Sequence, residues 1–152
     1  MIPDAPAAIG RDRSLLRLED EVGALMRRAR RVVAERARLM HPDLQPGAYV
    51  VLAQVTEQGP LRAADLCVAL GVDKAAVSRQ IQHLVEIGLV ESTPDPGDGR
   101  ATLLSASADG RRRLTEVSHQ RREFLQERLA SWSDADLEDF VAALGRYNAT
   151  LN

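Results

Sequence analysis

Four consecutive residues, Leu70-Gly71-Val72-Asp73, close one apolar-periodic segment and open the next. So abrupt a corner between two helical periods constrains the chain more than any other feature. Gly71 can take the positive φ such a corner requires. Asp73 is a favoured helix N-cap, and Val72 before it with Val77 after it is placed as a hydrophobic staple. A helix is therefore predicted from about Lys74. Val77, Ile81, Leu84 and Val85 fall on one stripe of a 3.6-residue period, while Lys74, Ala75, Ser78, Arg79, Gln82 and Glu86 make up the opposite face. A solvated surface would look similar. Placed behind a tight turn, however, this face suits the major groove of duplex DNA: Ala75 permits close approach, Ser78 and Gln82 donate and accept, and Arg79 can fork onto a guanine edge.

After Gly88 the period changes. Leu89 to Thr93 and Ala101 to Ser105 are short, partly β-branched runs separated by Pro94-Asp95-Pro96-Gly97-Asp98-Gly99-Arg100. This predicts a β-hairpin whose tip, with two prolines and two glycines, is barred from regular structure. Arg100 is the only cation at the tip, suited to the negative potential of a narrow minor groove. The alternative is that it pairs with Asp98 or Asp95, and both roles are compatible. Helix, turn, helix and β-ribbon in that order form a winged helix-turn-helix.

The block from Ala64 to Gly110 resembles the MarR family (multiple-antibiotic-resistance-type regulators) of bacterial transcription factors. The resemblance is carried by the helix-turn-helix, by Gly88-Leu89-Val90 at the strand start, by Asp98-Gly99-Arg100 at the wing tip, and by Ala106-Ser107-Ala108-Asp109-Gly110 at the next helix start. The last departs from the family's Leu-Thr-x-x-Gly, but Ser107 can still cap a helix. Ser92 stands near where many relatives carry an arginine, a departure that bears only on a wing-supporting ion pair.

Outside the block the chain is helical by pattern. Residues 1–10 are rich in Ala and Pro without periodicity and are predicted to form a loose arm. From about Asp12 to Met40, Leu15, Val22 and Ala29 alternate with Leu18, Leu25, Val32 and Leu39 at heptad spacing, a seam able to pack on another helix. Pro46 to Gln58 is a second helix stopped by Gly59-Pro60, and Leu61 to Leu70 supports the corner. Ser107 opens a helix to about Ala130, and Ser133 caps a last one to about Ala149. The expected fold class is mainly α with a small β-hairpin wing. Residues 11–152 would form one domain: a reading lobe at 46–105 and dimerisation helices at 11–40 and 107–150.

Composition bounds this reading without producing it. With 152 residues, 45% hydrophobic and 28% charged, the chain can bury one largely aliphatic core. Net charge is −2, and residues 61–105 carry four cations (Arg62, Lys74, Arg79, Arg100) against six anions. The case for DNA thus rests on placement, with the cations converging on one side. Lys74 is the only lysine, and arginine favours bidentate phosphate and base contacts. No apolar run approaches a membrane span and no secretion signal stands at the start, so a cytoplasmic location is expected. Cys67, the single cysteine, is expected to be a buried small hydrophobe.

Hydrolase elbows, phosphate loops, dinucleotide fingerprints and metalloprotease motifs are absent, and His41, His83 and His119 lie far apart in sequence. An enzyme is not expected, nor a cofactor or metal. The resemblance implies a homodimer on an inverted-repeat operator, with half-sites about one helical turn apart. It also implies release by a small aromatic or phenolic ligand, for which Arg38, His41 and Tyr49 are polar candidates. Some relatives sense oxidants through a cysteine in the first helix, and this chain has none there. The predicted DNA contacts are Arg62, Lys74, Ala75, Ser78, Arg79, Gln82 and Arg100, with Arg111-Arg112-Arg113 as possible phosphate neighbours. The competing class is a winged-helix module that contacts only protein; it would be expected to lose the polar outer face or the wing cation.

Overall fold

In the computed structural model, which describes residues 5–151, six helices and one β-hairpin follow in the order α1 (Ala5–Met40), α2 (Pro46–Gln58), α3 (Ala63–Leu70), α4 (Lys74–Glu86), β1 (Val90–Asp95), β2 (Asp98–Ala106), α5 (Ala108–Arg128) and α6 (Asp134–Ala149). The first helix starts earlier than its pattern suggested. Ala5, Ala7 and Ala8 are strong helix formers and Pro6 falls in the first turn, where proline is tolerated, so residues 5–10 are helix rather than arm. Residues 1–4 of the expected arm lie outside the described residues.

Local chemistry sets most other boundaries. Pro46 occupies the first turn of α2, which ends at Gly59-Pro60. Gly71 is left-handed at φ 61°, ψ 32°, and closes α3. Asp73 caps α4 by accepting from the Ala76 amide at 2.9 Å. Ser107 caps α5, its Oγ accepting from the Gly110 amide at 3.0 Å and donating to the Gly88 carbonyl at 2.7 Å. Ser133 and Asp136 form a reciprocal capping box at the start of α6.

The hairpin is longer than the sequence suggested. β1 and β2 pair antiparallel from Val90–Ala106 to Pro94–Thr102, and after a register shift Asp95 pairs with Asp98. Only Pro96 and Gly97 remain outside the strands. The prolines did not prevent pairing because Pro94 lies on an edge strand, where a missing amide costs no ladder bond. A further bridge joins Leu61 to Leu104, with hydrogen bonds of 3.0 and 2.8 Å, and it delays the start of α3 to Ala63.

The chain divides into two compact units, one running to Leu114 and one from Thr115 onward. Apart from Val117, the buried apolar residues lie in the first. Met40, Leu52, Val55, Leu66, Val77, Leu84 and Leu89 are its largest fully buried side chains, and burial of each leucine stabilises by roughly 1.5–3 kcal/mol. Cys67 is only half-buried, one residue round α3 from Leu66, and its neighbour Val68 points outward. In the second unit Trp132 meets Phe140 edge to face at 5.7 Å, and the Arg128 guanidinium stands over the Phe124 ring at 5.1 Å. α6 buries none of its residues within the chain. No described helix is long and apolar enough to cross a membrane.

Candidate nucleic-acid interface

On α4, Val77 and Leu84 are the residues held in the core. Ile81 is half-buried and Val85, expected inside, is exposed. Helix geometry explains the difference: Leu84 lies about 20° from Val77 around the axis, whereas Val85 lies about 80° away, at the rim of the stripe. Lys74, Ala75, Ser78, Arg79 and Gln82 are all exposed on the outer face. Gln82 donates to Glu86 at 3.0 Å. The last turn of α4 is tied back at His83, whose Nε2 is 3.1 Å from the Asp43 carbonyl. His41 accepts from the Asp43 amide at 3.2 Å, so two histidines distant in sequence meet at the backbone of one residue, His41 at its N–H and His83 at its carbonyl. His119 instead faces Glu123 within α5. Among the described residues no three His, Cys, Asp or Glu stand together as a metal site.

The wing differs from expectation in its ion pairs. Asp95 does not orient Arg100; it holds Arg62, with Nε donating at 2.7 Å and Nη2 at 2.5 Å to the same carboxylate oxygen. Asp98 serves Arg100 through its backbone, accepting from the Arg100 amide at 3.1 Å. The Arg100 side chain is exposed. Arg62, predicted to meet DNA directly, is thus exposed but already committed to a carboxylate, a pairing of residues 33 positions apart that local patterning could not reveal. An ion pair to the wing is thus present, although it comes from Arg62 and not from position 92.

The Gly97 amide and the Arg62 guanidinium together hold the Asp95 carboxyl below the ordinary carboxylate value, and Asp95 in turn raises Arg62. A carboxyl depressed in the folded state stabilises it fully above the unfolded pKa, and the contribution is lost as pH falls through the folded value. The wing turn should accordingly be insensitive to pH across the neutral range and loosen only below the usual Asp value. Titration of the Gly97 amide by NMR tests this; a midpoint at or above about 4 would show that Asp95 is not held as described.

The three arginines at the start of α5 are engaged locally. Arg111 donates to the Ala106 carbonyl, Arg112 pairs with Asp109 at 2.5 Å, and Arg113 reaches Asp109 at 2.8 Å and the Met40 carbonyl at 2.6 Å. Arg111 and Arg113 fasten the first turns of α5 to β2 and to the end of α1, while Arg112 pairs within the helix. Of the suggested ligand contacts, Arg38 is exposed in the last turn of α1, His41 is half-buried at the α1–α2 corner, and Tyr49 is buried on α2. None lines the apolar cleft of about 230 Å³ bounded by Val50, Val51, Leu70, Val72 and Val77, with Gln80 as its one polar side chain.

Comparison with known proteins supports this architecture. A MarR family model matches residues 43–101. The HTH-type transcriptional regulator YxaD of Bacillus subtilis is 30% identical over 131 residues, covering 86% of this chain and 90% of its own. The HTH-type transcriptional repressor NicR of Pseudomonas putida is 28% identical over 107 residues, covering 69% and 68%. The crystal structure of apo MarR from E. coli shares the fold, with a TM-score of 0.70, 22% identity and coverage of 86% and 95%.

Proposed function

Because the chain belongs to the MarR family of winged helix-turn-helix transcriptional regulators, we propose that it acts as a homodimeric, sequence-specific repressor, freed from an inverted-repeat operator by a small aromatic or phenolic ligand. The observation that carries the DNA-binding part is the shared exposure of Lys74, Ala75, Ser78, Arg79 and Gln82 on one face of α4, with Arg100 exposed on the wing. A module confined to protein contacts has no need of that face.

The dimer is supported by apolar residues left in solvent. On α1, Leu15, Leu18 and Leu25 are 46%, 42% and 51% exposed; on α6, Leu137, Phe140 and Val141 are 40%, 49% and 60% exposed. Helices this apolar on one side need a partner. Repression is favoured by the likeness to NicR. Ligand release draws on the family, with Arg38, His41 and Tyr49 the proposed polar contacts around the α1–α2 corner.

Selection from random duplexes at low salt is expected to return an inverted repeat, with affinity falling steeply as salt rises. No duplex preference at all would overturn the proposal and leave a protein-contact module. Within the selected sequence, Arg79→Ala should cost roughly 1–3 kcal/mol and relax one position in each half-site. If affinity and consensus were both unchanged, α4 would not be the reading helix.

A further inference from the structure

The N-terminus of α3 is fastened to the wing at two adjacent residues. Leu61 exchanges both backbone hydrogen bonds with Leu104 in β2. Next to it, the Arg62 side chain grips Asp95 at the end of β1. Asp95 uses both carboxylate oxygens: Oδ2 takes Arg62, and Oδ1 accepts from the Gly97 amide at 2.8 Å inside the two-residue turn. Although it stands near the tip of an exposed ribbon, Asp95 is only 9% exposed. It also follows the register shift after Pro94, where the ladder alone specifies the turn least.

A projecting two-stranded ribbon has little to hold its angle. Here the ribbon is braced at its root by Leu61 and near its tip by Arg62, both directly ahead of α3, and α3 joins α4 through the four-residue corner at Gly71. We propose that Asp95 is a positioning residue for DNA recognition: the Arg62–Asp95 pair is a strut that fixes the wing, and with it Arg100, relative to the outer face of α4. This rests on the DNA-binding function proposed above and deepens it. It changes the role of Arg62, whose charge is matched before DNA arrives, from phosphate contact to brace. It also gives an anion on a DNA-facing ribbon a favourable effect, where charge alone would predict repulsion.

The sign of one substitution separates the two roles. A selected operator duplex is titrated at fixed salt with the full-length protein, Asp95→Asn, Arg62→Gln and the double variant. Asp95→Asn keeps an acceptor for the Gly97 amide and removes only the charge. If the strut positions the wing, each single variant weakens binding by about tenfold and the double variant is no weaker than either, since both remove one interaction. If Arg62 contacts phosphate, Asp95→Asn releases it and binding is unchanged or tighter; that result, or losses that add, overturns the proposal. Amide exchange in the protein without DNA gives a second readout: both single variants should speed exchange in residues 91–105 and leave α6 unchanged. Should the unaltered protein bind no duplex, the DNA-binding proposal falls by itself, and equal wing exchange in all four proteins would then also remove the strut.

Discussion

Replacing Gly110 with valine is expected to destabilise the protein by at least the roughly 1–3 kcal/mol typical of overpacking, and to lower Tm by several degrees. Helix propensity alone predicts the reverse, since glycine is the poorest non-proline helix former. The obstacle is a backbone: a β-carbon on Gly110 would overlap the Leu89 carbonyl oxygen and stand 3.2 Å from its carbon. That carbonyl also accepts from the Ser107 amide at 3.0 Å, and the Ser107 hydroxyl bonds Gly88. A side chain at 110 would therefore push the first turn of α5 off the start of β1 and break several bonds together. The Ser107 cap and the Leu89 approach form one joint between the wing and the helix that follows it. An unchanged Tm for Gly110→Val, measured by calorimetry, would show that the helix and strand are not in such contact.

Deleting Ser133 to Asn152 is expected to abolish dimerisation and, with it, high-affinity operator binding. The removed segment holds Leu137, Phe140 and Val141, which α6 leaves exposed. It also takes Phe140 from Trp132, so the truncated chain ends on an uncovered indole. Light scattering should return monomer or aggregate. A soluble dimer of normal affinity would place the interface elsewhere and leave the apolar face of α6 without a role.

The features legible in the sequence are those whose cause lies within a few residues. Pro46 and Gly59 bound α2, Asp73 starts α4 and Ser133 starts α6, because caps and breakers act locally. The outer face of α4 followed from the same periodicity. What escaped depended on partners distant in the chain. Proline and glycine counts argue against strand at residues 94–100, but pairing of the two strands extends β1 through Asp95 and starts β2 at Asp98, leaving only Pro96 and Gly97 between them. Arg62 looked like one more free cation until Asp95 was placed beside it, and Val85 looked buried because a stripe read in one dimension has no rim. Cys67 was assigned to the core by its apolar neighbours, whereas a helix of eight residues offers only one face inward, which Leu66 fills.

The single tryptophan and the single cysteine of this chain belong to different units. Trp132 stands at the turn into α6, edge-on to Phe140 and 42% exposed. Cys67 is half-buried on the helix that supports α4. Two optical or chemical signals are therefore available without introducing any label site: indole emission follows the C-terminal helices, and the rate of thiol alkylation follows opening of the reading lobe. Run in parallel through a denaturant series, the pair distinguishes one cooperative unfolding transition from two, because coincident midpoints mean the units melt together and separate midpoints mean they do not.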